Sequence, residues 1–257
     1  MNPVQMVLMP AQHGKAPSKE PALIPATPTP LDPPARRVAD RAAQHHLVAR
    51  GLTLRTRNGT VFAPVDLDLP AHTPLAVLGT QGSGRSALLL ALTGRLQGVD
   101  GELTLGRIDG VRHAHRLREA TAVAHVSDLV ELESTLTVRE SLEERILTDG
   151  IRRRDGRARF ARLSEAVGFE ADPGTPVGHL PAPERTVLTA LLACLRPARL
   201  VAYDDVDATL TDAQLARVYT ALETLGDFGH PFAVSALTSS AVPRGAVVLP
   251  LTPSLED

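Results

Sequence analysis

The sequence predicts an α/β fold built on a mostly parallel sheet, and three observations carry that prediction. Compact apolar runs at Leu75–Leu78, Leu200–Tyr203, Phe232–Ser235 and Ala246–Leu249 read as strands buried on both faces. Stretches rich in helix formers separate them, and strands alternating with helices imply parallel crossovers. The first run leads directly into a glycine-rich turn and then into Ala87–Leu96, so strand, glycine loop and helix follow without a gap.

Composition narrows the function classes. The 257 residues suffice for one large domain or two small ones. A formal net charge of −2, 3% aromatic residues and no Trp argue against a general nucleic-acid binder or a base-stacking platform. Cys194 is the sole cysteine, which excludes an internal disulfide or a multi-cysteine zinc site. No apolar stretch approaches the roughly 20 residues of a spanning helix, and no basic-then-apolar leader opens the chain. The expectation is a cytoplasmic protein that reaches a membrane only by docking on a partner.

The elements follow in chain order. Residues 1 to about 38 hold nine of the 21 prolines and predict a disordered Pro-rich tail, with the folded domain over residues 39–257. Residues 47–69 hold short strands, and Asn58-Gly59 marks a hairpin turn. Residues 102–126 read as further strands around a loop rich in Arg and His. Residues 138 to about 170 read as helical, with Leu142, Ile146, Phe160, Leu163 and Val167 at helical spacings. Arg152, Arg153, Arg154, Arg157, Arg159 and Arg162 give that stretch a basic face. A solvated helix surface is the plain reading of such a face, and contact with anionic lipid or an acidic partner the other. Residues 184–195 predict an apolar helix. Residues 211–225 predict another, capped by Thr211 or Asp212 and stopped by Gly226.

The chemistry concentrates in Gly79-Thr80-Gln81-Gly82-Ser83-Gly84-Arg85-Ser86-Ala87. Glycines permit a tight turn and close backbone approach, and the loop amides with the helix N-terminus favour an anion. Gly79 and Gly84 fall on the two glycines of the phosphate-loop pattern G-x-x-x-x-G-K-[ST], Ser86 on its magnesium-facing hydroxyl and Arg85 on its lysine. A Rossmann dinucleotide site is the competing reading, but Arg-Ser directly after the last glycine suits phosphate and metal better. Of 27 Lys and Arg residues only Lys15 and Lys19 are lysine, so a Tyr-x-x-x-Lys pair is impossible in the folded part. The apolar run ending at Asp204, 120 residues after Gly84, supplies the distant acid that a phosphate-loop NTPase uses for magnesium. Asp205 then stands where a carboxylate would activate water.

From about Leu47 to Leu249 the order of segments resembles the ATP-binding cassette (ABC) ATPases. The likeness rests on the Gly79–Leu90 loop and helix, on Leu136-Thr137-Val138-Arg139-Glu140-Ser141-Leu142, and on Glu184 through Asp205. It implies a phosphate-loop NTPase core with an antiparallel β start and a helical subdomain over about 129–185. It implies ATP and Mg²⁺ as ligands, with Gly79–Ala87 binding the nucleotide and Ser86 and Asp204 holding the metal. It also implies two partners, an integral membrane transporter subunit and a second ATP-binding subunit, alike or different, at the inner face of the cell membrane. Asp205 and Asp128 become the catalytic candidates, Asp128 standing where the family has a glutamine. The chain departs from the family at Arg85, Asp128 and Asp205. It departs also at Leu180-Pro181-Ala182-Pro183-Glu184 in place of the signature, and at Ala236 in place of the switch histidine. Thr56 falls near the position that stacks on adenine. His179 and His230 read as structural or surface residues. The expectation is an ATP-binding subunit with slow hydrolysis. The alternatives are a catalytically inactive regulatory module on the same fold and, more weakly, a dinucleotide-dependent oxidoreductase.

Overall fold

The computed structural model describes residues 46–127, 129–237 and 242–252. The Pro-rich tail and Asp128 lie outside the described residues. Two sheets form the frame. β1 (Leu47–Thr56), β2 (Gly59–Leu69), β4 (Val99–Leu105) and β5 (Ile108–Asp109) make an antiparallel sheet in the order β2-β1-β4-β5. β3 (Leu75–Gly79), β6 (Ala122–His125), β7 (Val201–Tyr203), β8 (Phe232–Ala236) and β9 (Val247–Leu251) make a parallel sheet in the order β6-β7-β8-β3-β9. Every residue of β7 and β8 is buried, which is why these strands are apolar runs interrupted only by Ser235 in β8.

The hairpin between β1 and β2 turns one residue earlier than the Asn-Gly signal suggests. Arg57 and Asn58 are the turn, and Gly59, at φ 114°, already pairs with Thr56. Thr56 Oγ1 closes it, donating to the Gly59 carbonyl at 3.2 Å and accepting from Asn58 N at 3.2 Å.

α1 (Arg85–Leu92) buries Leu88, Leu89, Ala91 and Leu92 between the two sheets. The Arg- and His-rich loop expected after β4 contains α2 (Ala114–Ala120), anchored only by Leu117. One large apolar residue, flanked by two alanines, leaves only a faint helical period to read. The helical stretch expected from residue 138 is two helices, α3 (Val138–Thr148) and α4 (Arg153–Val167). Gly150, at φ 64°, breaks the run after α3, and a Cβ at Gly156 would lie 2.6 Å from Ile146, so the second glycine lets the helices touch. α5 (Ala182–Ala193) joins α3 in an apolar cluster of Val138, Leu142, Ile146, Leu188 and Leu192. α6 (Asp212–Asp227) starts at Thr211, whose hydroxyl and Gln214 form a capping box, and it continues past Gly226 to Asp227.

Parallel strands point their carboxyl ends to one edge, and ligands of open α/β sheets gather there. β3 delivers the glycine loop to that edge, β7 delivers Asp204 and Asp205, and β8 lies between them.

Two predictions follow from this packing. A Cβ at Gly84 would lie 2.3 Å from the Val61 carbonyl oxygen at a backbone φ of 85°. Gly84→Ala should therefore destabilise by about 2–4 kcal/mol in urea titration, against about 1 kcal/mol for Gly82→Ala. At Gly82 the added methyl meets open space. Equal midpoints for the two variants would refute the packing. His230, two residues before β8, is 1% exposed. Burial, then the neighbouring Arg159, push its pKa from 6.5 down to about 4. The unfolded chain thus takes up a proton below about 6.5 that the folded one refuses. Stability from this residue is complete above that pH and is lost as pH falls toward 4, by up to about 3 kcal/mol. Urea titrations at pH 7 and pH 4.5 should show this slope, and His230→Gln should flatten it.

Candidate functional site

The loop is shaped for an anion. Gly82 and Gly84 take left-handed backbone at φ 81° and 85°, which only glycine adopts without strain. A Cβ at Gly79 would meet Ser83 Oγ and the Leu251 carbonyl oxygen at 2.7 Å or less, so the loop folds tightly over the end of β3. Ser83 N donates to the Thr80 carbonyl at 3.2 Å. Thr80, Gln81 and Gly82 are exposed, Ser83 and Arg85 buried, and Ser86 and Ala87 half-buried. No side chain caps α1 and no acid lies in its first turn, so the first amides of the helix are open to a ligand.

Asp204 is fully buried and accepts a short hydrogen bond from Ser235 Oγ on the neighbouring β8. The same Ser235 oxygen accepts from Asp205 N at 2.8 Å, and Ser235 O accepts from Val206 N at 3.1 Å. One serine thus pins three successive residues after β7. Asp205 stands in left-handed backbone at φ 46°, an uncommon conformation for a side chain other than glycine. Its carboxylate touches the Arg85 guanidinium at 2.8 Å. Burial, and next the adjacent Asp204, raise the Asp205 pKa, while Arg85 counteracts them.

Three buried polar atoms around the loop have no partner among the described residues: Arg85 Nη1, Ser83 Oγ and Asp204 Oδ2. The first is a donor suited to an anion, the last an acceptor suited to a cation. Among the described residues no group of three His, Cys, Asp or Glu could hold a metal alone.

Sequence reasoning missed two participants. Ser235 lies inside a run of apolar residues, where nothing marks a serine as more than a strand residue. His125 ends β6 beside the site. Its ring stacks on Tyr203 with centroids 5.3 Å apart, and Nδ1 lies 3.1 Å from the Asp204 carbonyl oxygen. Because that oxygen can only accept, Nδ1 carries the proton and Nε2 faces Glu131 at 3.8 Å. His125, Glu131, Arg185, Tyr203 and Asp205 line a cleft of about 370 Å³. A histidine closing an apolar strand is the signal that could have found it.

The positions that depart from the family are separated in space by their elements. Ala236 is buried in β8. Pro181 and Pro183 sit at the start of α5, where neither has an N–H to offer. Thr56 is at the exposed tip of the first hairpin. Arg159, read as part of a solvated face, instead reaches the core side of α4, donating from Nε to the Cys194 carbonyl at 3.0 Å.

Fold and loop geometry together define a nucleotide-binding cassette architecture, and comparison with known proteins agrees. Residues 62–208 match the family model described as ABC transporter, and the chain belongs to this family. It is 29% identical over 186 residues to the arabinose import ATP-binding protein AraG of Azospirillum brasilense, a match covering 70% of this chain and 36% of that protein. It is 27% identical over 172 residues to the ribose import ATP-binding protein RbsA of Chelativorans sp. (strain BNC1), covering 64% and 33%. The chain therefore spans about a third of the length of these relatives. Its fold is similar to that of cbiO1 from Clostridium perfringens, part of the ABC transporter complex cbiONQ. The TM-score is 0.68 and the identity 14%, over 80% of this chain and 84% of that one. It is also similar to the dimeric bacterial ABC transporter cassette MJ0796, with TM-score 0.66 and 15% identity over 80% and 94%.

Ser235→Ala should remove the hydrogen-bond donor of a buried carboxyl group and the acceptor of Asp205 N together. The expected loss is about 2–3 kcal/mol in chemical denaturation. A loss under about 0.5 kcal/mol would show that Ser235 does not hold this corner.

Proposed function

We propose that the chain is the nucleotide-binding subunit of an ABC transporter that binds ATP with Mg²⁺ and hydrolyses it slowly. The observation that carries this reading is the pair of orphaned buried atoms beside the glycine loop, Arg85 Nη1 and Asp204 Oδ2. A buried donor and a buried acceptor left without partners are costly unless a ligand supplies both an anion and a cation. In this reading the amides of Gly79–Ala87 and the Arg85 guanidinium hold the phosphates. The Ser86 hydroxyl and the Asp204 carboxylate would hold magnesium. When bound, magnesium supplies neutralisation of charge on the phosphate oxygens. Asp205 orients the attacking water, and Asp128 takes the place of the family's glutamine.

Slow turnover is supported by what Asp205 does in the free protein. Its carboxylate is engaged by Arg85 at 2.8 Å, so phosphate and Asp205 compete for one guanidinium. Its side chain is one methylene shorter than the glutamate of the family, and a misplacement of about 1 Å can cost on the order of 10²-fold in rate. The same ion pair favours the second reading, a regulatory module on this fold that binds nucleotide without turning it over.

The partners belong to this proposal too. Among the described residues no helix is long and apolar enough to cross a membrane, and in this reading a membrane transporter subunit couples the chain to transport. Relatives named for arabinose and ribose import suggest an importer at the inner face of the cell membrane, with a second ATP-binding subunit completing the assembly.

Titration with a non-hydrolysable ATP analogue and Mg²⁺ should show binding by the natural chain, weakened about tenfold or more in Arg85→Met. Asp205→Asn should bind several-fold tighter, because the guanidinium is released, while losing single-turnover hydrolysis. Absence of binding in all three proteins would overturn the nucleotide reading. Unchanged turnover in Asp205→Asn would remove Asp205 from the reaction.

A further inference from the structure

A cleft of about 570 Å³ opens at the other edge of the parallel sheet. Ala120, Arg199 and His230 in its wall each stand two residues before β6, β7 and β8, whereas the glycine loop and Asp204 follow the carboxyl ends of β3 and β7. The whole sheet separates the two places.

The wall is cationic and built. Arg116, Arg159 and Arg199 line it, with Glu119 the one acid, although the chain as a whole carries a formal net charge of −2. Arg159 is held rigidly, by Nε on the Cys194 carbonyl at 3.0 Å and by Nη2 on His230 Nε2 at 2.8 Å. Guanidinium nitrogens only donate, so Nε2 of His230 accepts and its proton sits on Nδ1. That Nδ1 is buried without a partner, on a side chain only 1% exposed. On the same helix Arg153 and Arg157 both pair with Glu143, but neither Arg159 nor Arg116 meets a carboxylate among the described residues. An anchored guanidinium with no counter-ion, beside a neutral histidine with an unused N–H, lacks an acceptor. Phe228, 44% exposed, and Pro197 add an apolar wall next to these donors.

We propose that this cleft is a second binding site, for a small soluble phosphate monoester whose phosphate meets Arg159 and Arg116 and whose organic part lies on Phe228. Phosphate suits the planar, multi-donor guanidinium better than a monodentate anion does. The site is independent of the glycine loop and of the nucleotide reading.

The test is a titration of the full chain with phenyl phosphate, followed by thermal shift and calorimetry, with inorganic phosphate and phosphatidic acid vesicles as further arms. Saturable binding of phenyl phosphate is expected, about fivefold tighter than inorganic phosphate. Arg159→Met should raise the half-saturating concentration about tenfold and the exposed Arg116→Ala about fivefold. Arg85→Met should leave it unchanged. Arg116→Ala lies on the surface and keeps the test decisive if Arg159→Met fails to fold. Loss of binding in Arg85→Met alone, no effect of Arg116→Ala, binding to vesicles only, or no binding at all would each overturn the proposal.

Discussion

The buried carboxyl group of Asp204 is the constraint on which the rest of the site depends. A group of this kind with no solvent exposure must find partners in the protein or in a ligand, because leaving it bare costs several kcal/mol. Ser235 satisfies one oxygen and, with its remaining capacity, ties down the amide of Asp205. The other oxygen has no partner among the described residues. Strand order does the positioning: β8 lies between β3 and β7, so its serine reaches the end of β7 while the glycine loop stands on its other side.

Arg85 and Asp205 give the site its particular character. Lysine in the loop position would present a compact point charge, whereas arginine presents a longer planar fork with several donors. Here that fork spans from α1 to the turn after β7, and the charges meet with Arg85 only 7% exposed. An acid with a burial-raised pKa and a cation without solvent stabilise one another where phosphate chemistry would otherwise use each separately. Substitution at one position therefore changes the meaning of the other, and the two are best understood as a pair.

Charge is also divided between the two edges of the sheet. The carboxyl edge carries the acids and a glycine loop, and the amino edge gathers arginines around a neutral histidine. The basic run on α4 illustrates how position decides function. Arg153 and Arg157 are exposed and satisfied by Glu143, while Arg159 turns inward to backbone and His230.

The parallel strands, the glycine loop, the helix after it and the acid pair at Asp204 and Asp205 were determined by the sequence alone. Each is a local pattern: a doubly buried strand is predominantly apolar, and left-handed backbone at Gly82 and Gly84 favours glycine. The capping box at Thr211 is equally local, since its partners are three residues apart. Other features depend on neighbours distant in the chain and were decided only by the tertiary structure. α2 has one buried anchor and only a faint period, and the close packing of α3 on α4 depends on Gly156 meeting Ile146. Ser235 acquires its role from a strand 31 residues away, and His125 from Asp204, 79 residues away. The pairing of Arg85 with Asp205 joins residues 120 apart in the chain. Patterns along a chain report what each residue needs from its surroundings, but which residue meets that need is set by strand order and packing.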